Sequence, residues 1–455
     1  MIRRLGARLE RLFRAATPDP FVLAILLTAL TGALALLKTS GDLPAVVAAW
    51  QSPKGFWGLL EFAMQMCLVL VTGHALASAP AVRTVIARLV DLPRSPGGAG
   101  ALVAAVSVAT SFLNWGLALI VGALLAREMG RSCQRRGIRV HYPLLVAAGY
   151  TGLMTWHGGF SGSAPLKVTT AADLAKMLPE ALAARTAPIS LFETILSPLN
   201  LVVGVGLLIG VPLLVWALTP GAADDVSGFS EFGVAQETPA PTAAPATTFS
   251  ERLEVSRLVT ATLAVPLAVA LFLYFRANGV ARLDPNAVNL TLLTVGLVAH
   301  RTPRAYGEAV AEGVKGCAGI ILQFPLYGGI LGMMVGTGLA KTLAGWAAAT
   351  GSESGYLVLT FFSAGALNLF VPSGGGQWAV QGPIALEAAT QLGVPLGSAV
   401  MAVAYGDQWT NMLQPFWALP LLGITGVRAR DIMGYTATIM LVSGLWFVTG
   451  LVVLG

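Results

Sequence analysis

Charged residues are scarce in this sequence. Asp, Glu, Lys and Arg make up 11% of its 455 residues, whereas 55% are hydrophobic and the mean hydropathy is +0.74. A soluble domain carries about a quarter charged residues, so the composition excludes an ordinary soluble protein. The hydrophobic runs are long and unbroken, which excludes a β-barrel with its short alternating segments. We therefore expect a helical protein that crosses a membrane several times.

Two further kinds of feature are missing. The only cysteines, Cys67, Cys133 and Cys317, are scattered along the chain, so neither a disulfide framework nor a metal site is predicted. No Walker-type phosphate loop is present, which argues against ATP as an energy source, and no cofactor is expected. The net charge of +6 is small. It suits membrane orientation and gives no reason to expect nucleic-acid binding.

The stretch 370–378 reads Phe-Val-Pro-Ser-Gly-Gly-Gly-Gln-Trp and lies between two apolar runs. Proline removes a backbone donor and each glycine costs about 1 kcal/mol in a helix relative to alanine, so this stretch interrupts a helix. Irregular backbone at membrane depth persists only where protein or a watery cavity satisfies its polar groups. Such a break within a hydrophobic segment is typical of a transport site.

Three other apolar segments are interrupted in a similar way. They are 101–126 with a break at Ser111–Gly116, 142–166 with a break at His157–Pro165, and 398–422 with a break at Gly406–Asn411. Arginines at 127, 131, 135, 136 and 139 follow the first of these segments. Because Lys and Arg favour the cytoplasm, 101–126 is predicted to be a re-entrant hairpin that enters from that side. Segment 356–392, whose flanks carry almost no arginine, is predicted to enter from outside.

The two halves of the chain repeat the same order of features. Leu113–Asn114 and Leu367–Asn368 each lie in a hairpin break, and each is followed by a window that opens with Thr and closes with Pro, at 155–165 and 410–420. Because the two hairpins are predicted to enter from opposite sides, the halves form an inverted repeat.

The predicted fold is an all-α polytopic membrane protein with about nine transmembrane helices and two re-entrant helical hairpins in an inverted repeat. Charge bias places the N-terminus in the cytoplasm and the C-terminus in the periplasm. The predicted parts are an interfacial amphipathic helix at 1–16, a first half at 17–218 with hairpin 101–126 and broken helix 142–166, a cytoplasmic linker at 219–255, and a connecting helix and second half at 256–455 with hairpin 356–392 and broken helix 398–422.

The motifs at 156–165, 372–383 and 406–420 resemble those of the short-chain fatty acid transporter family (AtoE type), and the resemblance spans nearly the whole chain. It implies secondary active uptake of small monocarboxylates, such as acetoacetate or butyrate, through a bacterial inner membrane. It also implies kinship with the ion-transporter superfamily, in which re-entrant hairpins belong to an elevator-like transport domain that moves against a dimerising scaffold. We therefore expect a homodimer embedded in the lipid bilayer.

The predicted substrate- and ion-binding residues all lie in or beside the four breaks. They are Ser111, Asn114, Trp115, Gly116, His157, Gly158, Gly159, Ser161, Ser163, Asn368, Ser373, Gly374, Gly375, Gly376, Gln377, Asp407, Trp409, Thr410 and Asn411. Hairpin tips and half-helix N-termini supply amide donors for a carboxylate. Because no Lys or Arg lies within the breaks, a monoanion held by neutral donors is predicted.

The coupling ion is expected to be H⁺ or Na⁺, with Na⁺ placed near Asn114 or Asn368. Asp407, the one acidic residue in the breaks, is predicted to take up the proton or to coordinate a cation, the alternative being a helix cap. His157 is interpreted either as a proton carrier or neutral donor, or as a structural histidine. Trp115, Trp378 and Trp409 either cover the acyl chain or pack.

Two other functions are compatible with parts of the sequence. One is a carrier for a di- or tricarboxylate, which is expected to use a cationic residue in its site. The other is an intramembrane serine hydrolase, suggested by Gly-Phe-Ser-Gly at 159–162. That pattern is short, and His300, at the end of a span, is poorly placed to activate Ser161.

Overall fold

A computed structural model describes most of the chain. It covers residues 8, 12, 18–39, 41–177, 183–184, 186–221, 224–232, 247–278, 285–344 and 353–455. The predicted amphipathic helix at 1–16 lies outside the described residues apart from positions 8 and 12. The same holds for residues 222–223 and 233–246 of the predicted linker.

Helices are the only regular elements within the described residues, as predicted. In chain order they are α1 Pro20–Lys38, α2 Leu43–Gln51, α3 Leu60–Ser78, α4 Pro80–Val90, α5 Pro96–Ser111, α6 Trp115–Arg135, α7 Tyr142–Tyr150, α8 Ser163–Leu166, α9 Ala171–Met177, α10 Pro198–Leu218, α11 Phe249–Glu254, α12 Arg257–Asn278, α13 Pro285–His300, α14 Pro303–Val314, α15 Ala318–Gly336, α16 Leu339–Ala344, α17 Glu353–Asn368, α18 Gly374–Leu392, α19 Leu396–Thr410, α20 Pro415–Thr425 and α21 Ala429–Leu454.

Five stretches of the described chain are both long and apolar enough to cross a membrane. They are Pro20–Lys38, Pro198–Leu218, Arg257–Ala277, Pro303–Gly336 and Ala429–Leu454. Helix α12 turns large apolar side chains outwards, with Leu258 80% and Phe272 64% exposed. A soluble protein rarely exposes such a surface, whereas lipid covers it at little cost. The all-helical membrane class is therefore confirmed, and the predicted number of about nine transmembrane helices stays a prediction.

The predicted hairpin 101–126 is longer than expected at both ends. Helices α5 and α6, here called hairpin A, run from 96 to 135 around a break at 112–114. Three of the five arginines expected in a loop after 126, Arg127, Arg131 and Arg135, instead occupy the last turns of α6, whereas Arg136 and Arg139 follow the helix. Arg127 is buried, and its Nε donates to Glu128 at 3.0 Å, while Arg136 donates to the carbonyls of Val90, Asp91 and Pro93. These partners hold the basic side chains against the protein, so the helix continues.

The predicted hairpin 356–392 corresponds to α17 and α18, here called hairpin B, which surround a break at 369–373. The two helices bond to each other, because Tyr356 donates its hydroxyl to the Ala385 carbonyl and Gln377 Nε2 donates to the Ala364 carbonyl at 2.9 Å. Ser373 caps α18, its Oγ accepting from the Gly376 amide at 3.2 Å. The Pro-Ser-Gly-Gly-Gly stretch thus ends one helix and begins the next, as predicted.

Both predicted broken helices are interrupted. Broken helix A consists of α7, two 3₁₀ turns at Thr151–Met154 and Trp156–Gly158, and α8, so its break begins at 151 and ends at 162, earlier at both ends than the predicted 157–165. Broken helix B consists of α19, a 3₁₀ turn at Asn411–Leu413, and α20. The second break lies later than the predicted 406–411, because α19 stays helical through Thr410. Gly406 lets α19 approach the Phe361 carbonyl so closely that a side chain there would collide with it.

Candidate functional site

The tip of hairpin A is bonded to the break of broken helix A. The hydroxyl groups of Ser111 and Thr155 lie 2.6 Å apart, the Trp115 amide donates to Ser161 Oγ at 3.0 Å, and the Phe160 amide donates to the carbonyl of residue 112 at 2.8 Å. A Cβ atom on Gly159 would lie 2.6 Å from the backbone at that same carbonyl. Glycine is therefore required for this close approach.

Hairpin B is bonded to broken helix B through the equivalent part of the second half. Asn368 Nδ2 donates to Thr410 Oγ1 at 3.0 Å and to Asn411 Oδ1 at 2.9 Å. Gln414 Nε2 donates to the carbonyls of Asn368 and Leu369 at 3.3 and 3.0 Å. All of these residues except Leu369 are buried, so their polar groups bond to one another in place of water.

The predicted pairing of Asn114 with Asn368 is wrong. Asn114 caps the helix after its break, with Oδ1 accepting from the Leu117 amide at 3.0 Å, whereas Asn368 ends the helix before its break. By contacts, Asn368 corresponds to Ser111, since each bonds to the threonine of the neighbouring broken helix. By position, Asn114 corresponds to Ser373, since each caps the second helix of its hairpin.

The two broken helices meet at their breaks. Gln408 Oε1 accepts from the amides of His157 and Gly158 at 2.8 and 3.2 Å. In return, Asn411 Nδ2 donates to the Leu153 carbonyl at 2.9 Å, and Tyr150 donates its hydroxyl to the Asn411 carbonyl at 3.0 Å. The irregular backbone of each half therefore bonds to the other half, as expected for breaks at membrane depth.

His157 and Asp407 form a buried pair at this junction. His157 Nδ1 lies 3.1 Å from Asp407 Oδ1, and the Ala164 amide donates to His157 Nε2 at 2.9 Å. Because Nε2 accepts a hydrogen bond, the ring proton must lie on Nδ1 and point towards Asp407. His157 is thus held as a neutral donor. The alternative interpretation of Asp407 as a helix cap is not supported, because its bonded oxygen faces His157.

The second oxygen of Asp407 is the unusual atom of the site. Asp407 is 1% exposed, and within the described part of the chain its Oδ2 has no hydrogen-bond partner. A buried polar oxygen without a partner is costly unless it binds a proton or a cation. Asp407 Oδ2 is therefore a candidate position for either.

The glycine tip of hairpin B lies against broken helix A. A Cβ atom on Gly374 would lie 2.6 Å from Trp156 Cη2 and 3.0 Å from His157 Cε1. A Cβ atom on Gly375 would lie 3.5 Å from Lys167 Nζ and 3.8 Å from Ser163 Oγ. The N-terminus of α18 is therefore next to His157, to a hydroxyl and to an ammonium group.

Both hairpin tips lie beside Trp156. The rings of Trp115 and Trp156 have centroids 6.4 Å apart, and Trp156 stacks on His157 at 4.3 Å. Trp115 also lies 5.0 Å from Trp417 of α20. Of these three tryptophans, only Trp115 was among the predicted binding residues, and Trp156 and Trp417 were not. Aromatic content beside the breaks was the one available signal for them.

Other predicted residues make contacts outside the His157–Asp407 pair. Trp409 donates Nε1 to the Met440 carbonyl at 2.6 Å and packs on Phe361, so it joins α19 to hairpin B and α21. Gln377 and Trp378 are buried residues of α18, and Gln377 donates to the Ala364 carbonyl of α17. Gly116 lies in the first turn of α6, where a Cβ atom would meet only the Asn114 side chain, at 3.3 Å. These contacts are packing contacts, and the binding roles of these residues stay predictions.

The geometry does not assemble a serine hydrolase. Ser161 Oγ accepts from the Trp115 amide, and His157 Nε2 accepts from the Ala164 amide. The ring nitrogen Nε2 of His300 lies 2.7 Å from the Ala75 carbonyl in α3. Neither histidine therefore presents a basic nitrogen to Ser161.

The chain is similar to solved transporter structures. The crystal structure of the Alcanivorax borkumensis YdaH transporter matches 95% of this chain and 98% of its own, with 17% identity and a TM-score of 0.41. The Neisseria gonorrhoeae MtrF structure, described among antimetabolite efflux pumps, matches 97% and 96%, with 14% identity and a TM-score of 0.41.

Sequence comparison gives a firmer result. Residues 1–454 match the short chain fatty acid transporter family. Proteins named "Putative short-chain fatty acid transporter" are 39% identical in Escherichia coli (strain K12) and 36% identical in Haemophilus influenzae, each over 99% of both chains. The protein is therefore a transporter and not an enzyme, and it belongs to the short-chain fatty acid transporter family.

Proposed function

We propose that this protein carries short-chain monocarboxylates, such as butyrate and acetoacetate, across the bacterial inner membrane by symport with a cation. Family membership supports the substrate class. The observation that carries the proposal is that a helix N-terminus, a histidine and a carboxyl group lie together. The donor-rich start of α18 lies against His157, and His157 is bonded to the partly unpaired carboxyl group of Asp407.

The carboxylate binds at the N-terminus of α18. The first amides of a helix have no carbonyl acceptor within it, and Ser373 Oγ satisfies only that of Gly376. The amides of Gly374 and Gly375 are thus available, and the helix dipole favours a negative charge there. The absence of side chains on these glycines lets a ligand approach the backbone.

The coupling ion binds near Asp407. Since His157 Nε2 is occupied by the Ala164 amide, a further proton has its best acceptor in Asp407 Oδ2. A proton that arrives with a carboxylate leaves no net charge to carry through the low-dielectric core, so H⁺ is the favoured ion. The competing proposal is Na⁺, bound by oxygens near Asn114 or Asn368.

The transport step moves the two hairpins and the two broken helices as one unit. Their tips and breaks are joined by hydrogen bonds, which favours motion of the whole cluster against the remaining helices. The proposed arrangement is an inverted repeat of re-entrant hairpins in each subunit of a homodimer, with an elevator-like movement between inward- and outward-facing states.

Proteoliposome uptake tests the proposal. Labelled butyrate and acetoacetate should accumulate when a pH gradient, acid outside, is imposed, and a Na⁺ gradient should have little effect. Asp407→Asn should bind substrate yet fail to accumulate it against its gradient. Glu61→Gln, which alters an exposed carboxylate in the first turn of α3, should behave as wild type. Wild-type uptake that ignores both gradients would contradict symport, and full accumulation by Asp407→Asn would contradict the role of Asp407.

A further inference from the structure

We propose that Lys167 is the cationic anchor that binds the substrate carboxylate, and this inference rests on the proposed function. From the sequence alone a site of neutral donors is predicted, because no Lys or Arg lies within a break. Lys167 lies two residues after the predicted break at 157–165, and in the folded protein it lies next to the tip of hairpin B.

The backbone holds Lys167 in place beside that tip. Lys167 is the C-cap residue of α8, and its amide donates to the Ser163 carbonyl at 3.1 Å. Its ammonium nitrogen lies 3.5 Å from the position a Cβ atom would take on Gly375, and Ser163 Oγ lies 3.8 Å from that position. An ammonium and a hydroxyl group therefore face the second residue of α18.

The groups around this position are donors. The amides of Gly374 and Gly375 have no acceptor within α18, as described above. Trp156 is 4% exposed, and among the described residues its Nε1 has no hydrogen-bond partner. The Cζ2 atom of that indole lies 3.1 Å from the Cβ position of Gly374, so the indole lies beside the start of α18. Unsatisfied donors around one point favour an anion.

Among the residues that the structure describes, Lys167 makes no ion pair. Within the described part of the chain no Asp or Glu carboxylate pairs with it. Lys315, in contrast, pairs with Glu312 at 2.5 Å, as is usual for a charged side chain beside a helix. The Lys167 side chain is exposed, so an anion arriving from water can reach its ammonium. A cation with a fixed backbone, solvent access and no partner is suited to binding a ligand.

This arrangement sets the specificity. A cationic residue was the feature expected of a di- or tricarboxylate carrier, but a single ammonium group compensates only one carboxylate, so the site favours a monoanion. A neutral analogue such as butyramide presents no negative charge to Lys167 or to the start of α18. The site should therefore bind butyramide much more weakly than butyrate.

Uptake kinetics provide the first test. Lys167→Gln should raise the KM for butyrate by about tenfold or more, as expected for the loss of a charge-assisted hydrogen bond. Lys167→Arg keeps the charge with a different geometry and should lie between wild type and Lys167→Gln. Lys54→Gln, at another exposed lysine, is the matched control and should not change the KM. A wild-type KM for Lys167→Gln would overturn the inference and leave the proposed function intact.

A labelling experiment on the wild-type protein avoids dependence on folding of the variant. Purified protein is treated with sulfo-N-hydroxysuccinimide acetate, and acetylation of each lysine is quantified by mass spectrometry. Saturating butyrate should slow the acetylation of Lys167 several-fold, butyramide should not, and Lys54 should be unaffected by either. Equal rates at Lys167 with and without butyrate, in protein that transports butyrate, would overturn the inference. Wild-type protein that transports no monocarboxylate would instead contradict the proposed function.

Discussion

Replacing Gly374 with alanine tests the contact between hairpin B and broken helix A. The new methyl group would lie 2.6 Å from Trp156 Cη2 and 3.0 Å from His157 Cε1, well inside normal contact distance. Neither ring can move away cheaply. Trp156 stacks on His157, and both nitrogens of His157 have hydrogen-bonding neighbours, Asp407 and the Ala164 amide. The tip of hairpin B must therefore shift.

The neighbouring glycine provides a matched control. Overpacking of this kind costs about 1–3 kcal/mol, and alanine recovers about 1 kcal/mol over glycine in a helix. A Cβ atom on Gly375 meets only the flexible Lys167 ammonium at 3.5 Å and Ser163 Oγ at 3.8 Å, which is ordinary contact. Gly375→Ala should therefore keep the helix gain without the overpacking cost. The two variants should differ in stability by about 1–3 kcal/mol.

Thermal unfolding of the purified protein in detergent measures the difference. Gly374→Ala should unfold at a lower temperature than wild type or Gly375→Ala. Gly375→Ala should be at least as stable as wild type but should take up butyrate with a raised KM, because its methyl group occupies the space where the carboxylate binds. A Gly374→Ala protein as stable as Gly375→Ala would refute the described contact. An unchanged KM for Gly375→Ala would refute the position of the anion.

Three further predictions address other contacts. Gln408→Ala leaves two buried amides, at 157–158, without an acceptor, so the unfolding free energy should fall by about 1–3 kcal/mol for each, whereas Gln408→Glu should be milder. Trp115→Ala should reduce the preference for butyrate over acetate, as measured by competitive uptake. Butyrate has two more methylene groups than acetate, and their burial favours butyrate by about 1.6 kcal/mol at most. Hydrogen bonds, chiefly from the Thr248 amide, lower the pKa of Glu251 from 4.5 to about 2. Its contribution to capping α11 should therefore be complete above pH 4.5 and be lost as the pH falls through about 2. Hydrogen exchange of the Thr248 amide measures this pH dependence, which Glu251→Gln should abolish.

The helix breaks were readable from the sequence because their causes are local. Proline and glycine disfavour helix interiors, so the stretch 370–378 was identified as an interruption, and the structure places the break at 369–373. The membrane class followed from the low charge. The sequence placed Thr155 and Thr410 at corresponding positions in the two halves but did not link them to the hairpins, and Asn368 turned out to correspond to Ser111 and not to Asn114.

The rest of the site depends on contacts between residues far apart in sequence. Nothing near Lys167 indicates that it faces Gly375, and nothing near Gln408 indicates that it accepts from amides of the other half. The arginines after 126 were assigned to a loop because charge bias is a rule about loops, but Arg127 has partners that let it lie in a helix. Tertiary contacts of this kind override local preference.

Location of a bound substrate tests the central claim most directly. A structure determined experimentally with 4-bromobutyrate, whose bromine marks the acyl end, would show where the carboxylate lies. The account predicts one carboxylate at the first amides of α18, within hydrogen-bond distance of Gly375 and Lys167, with the bromine towards Trp115. A substrate bound elsewhere in the protein, or a glycine tip separated from Trp156 and His157 in every state, would contradict it.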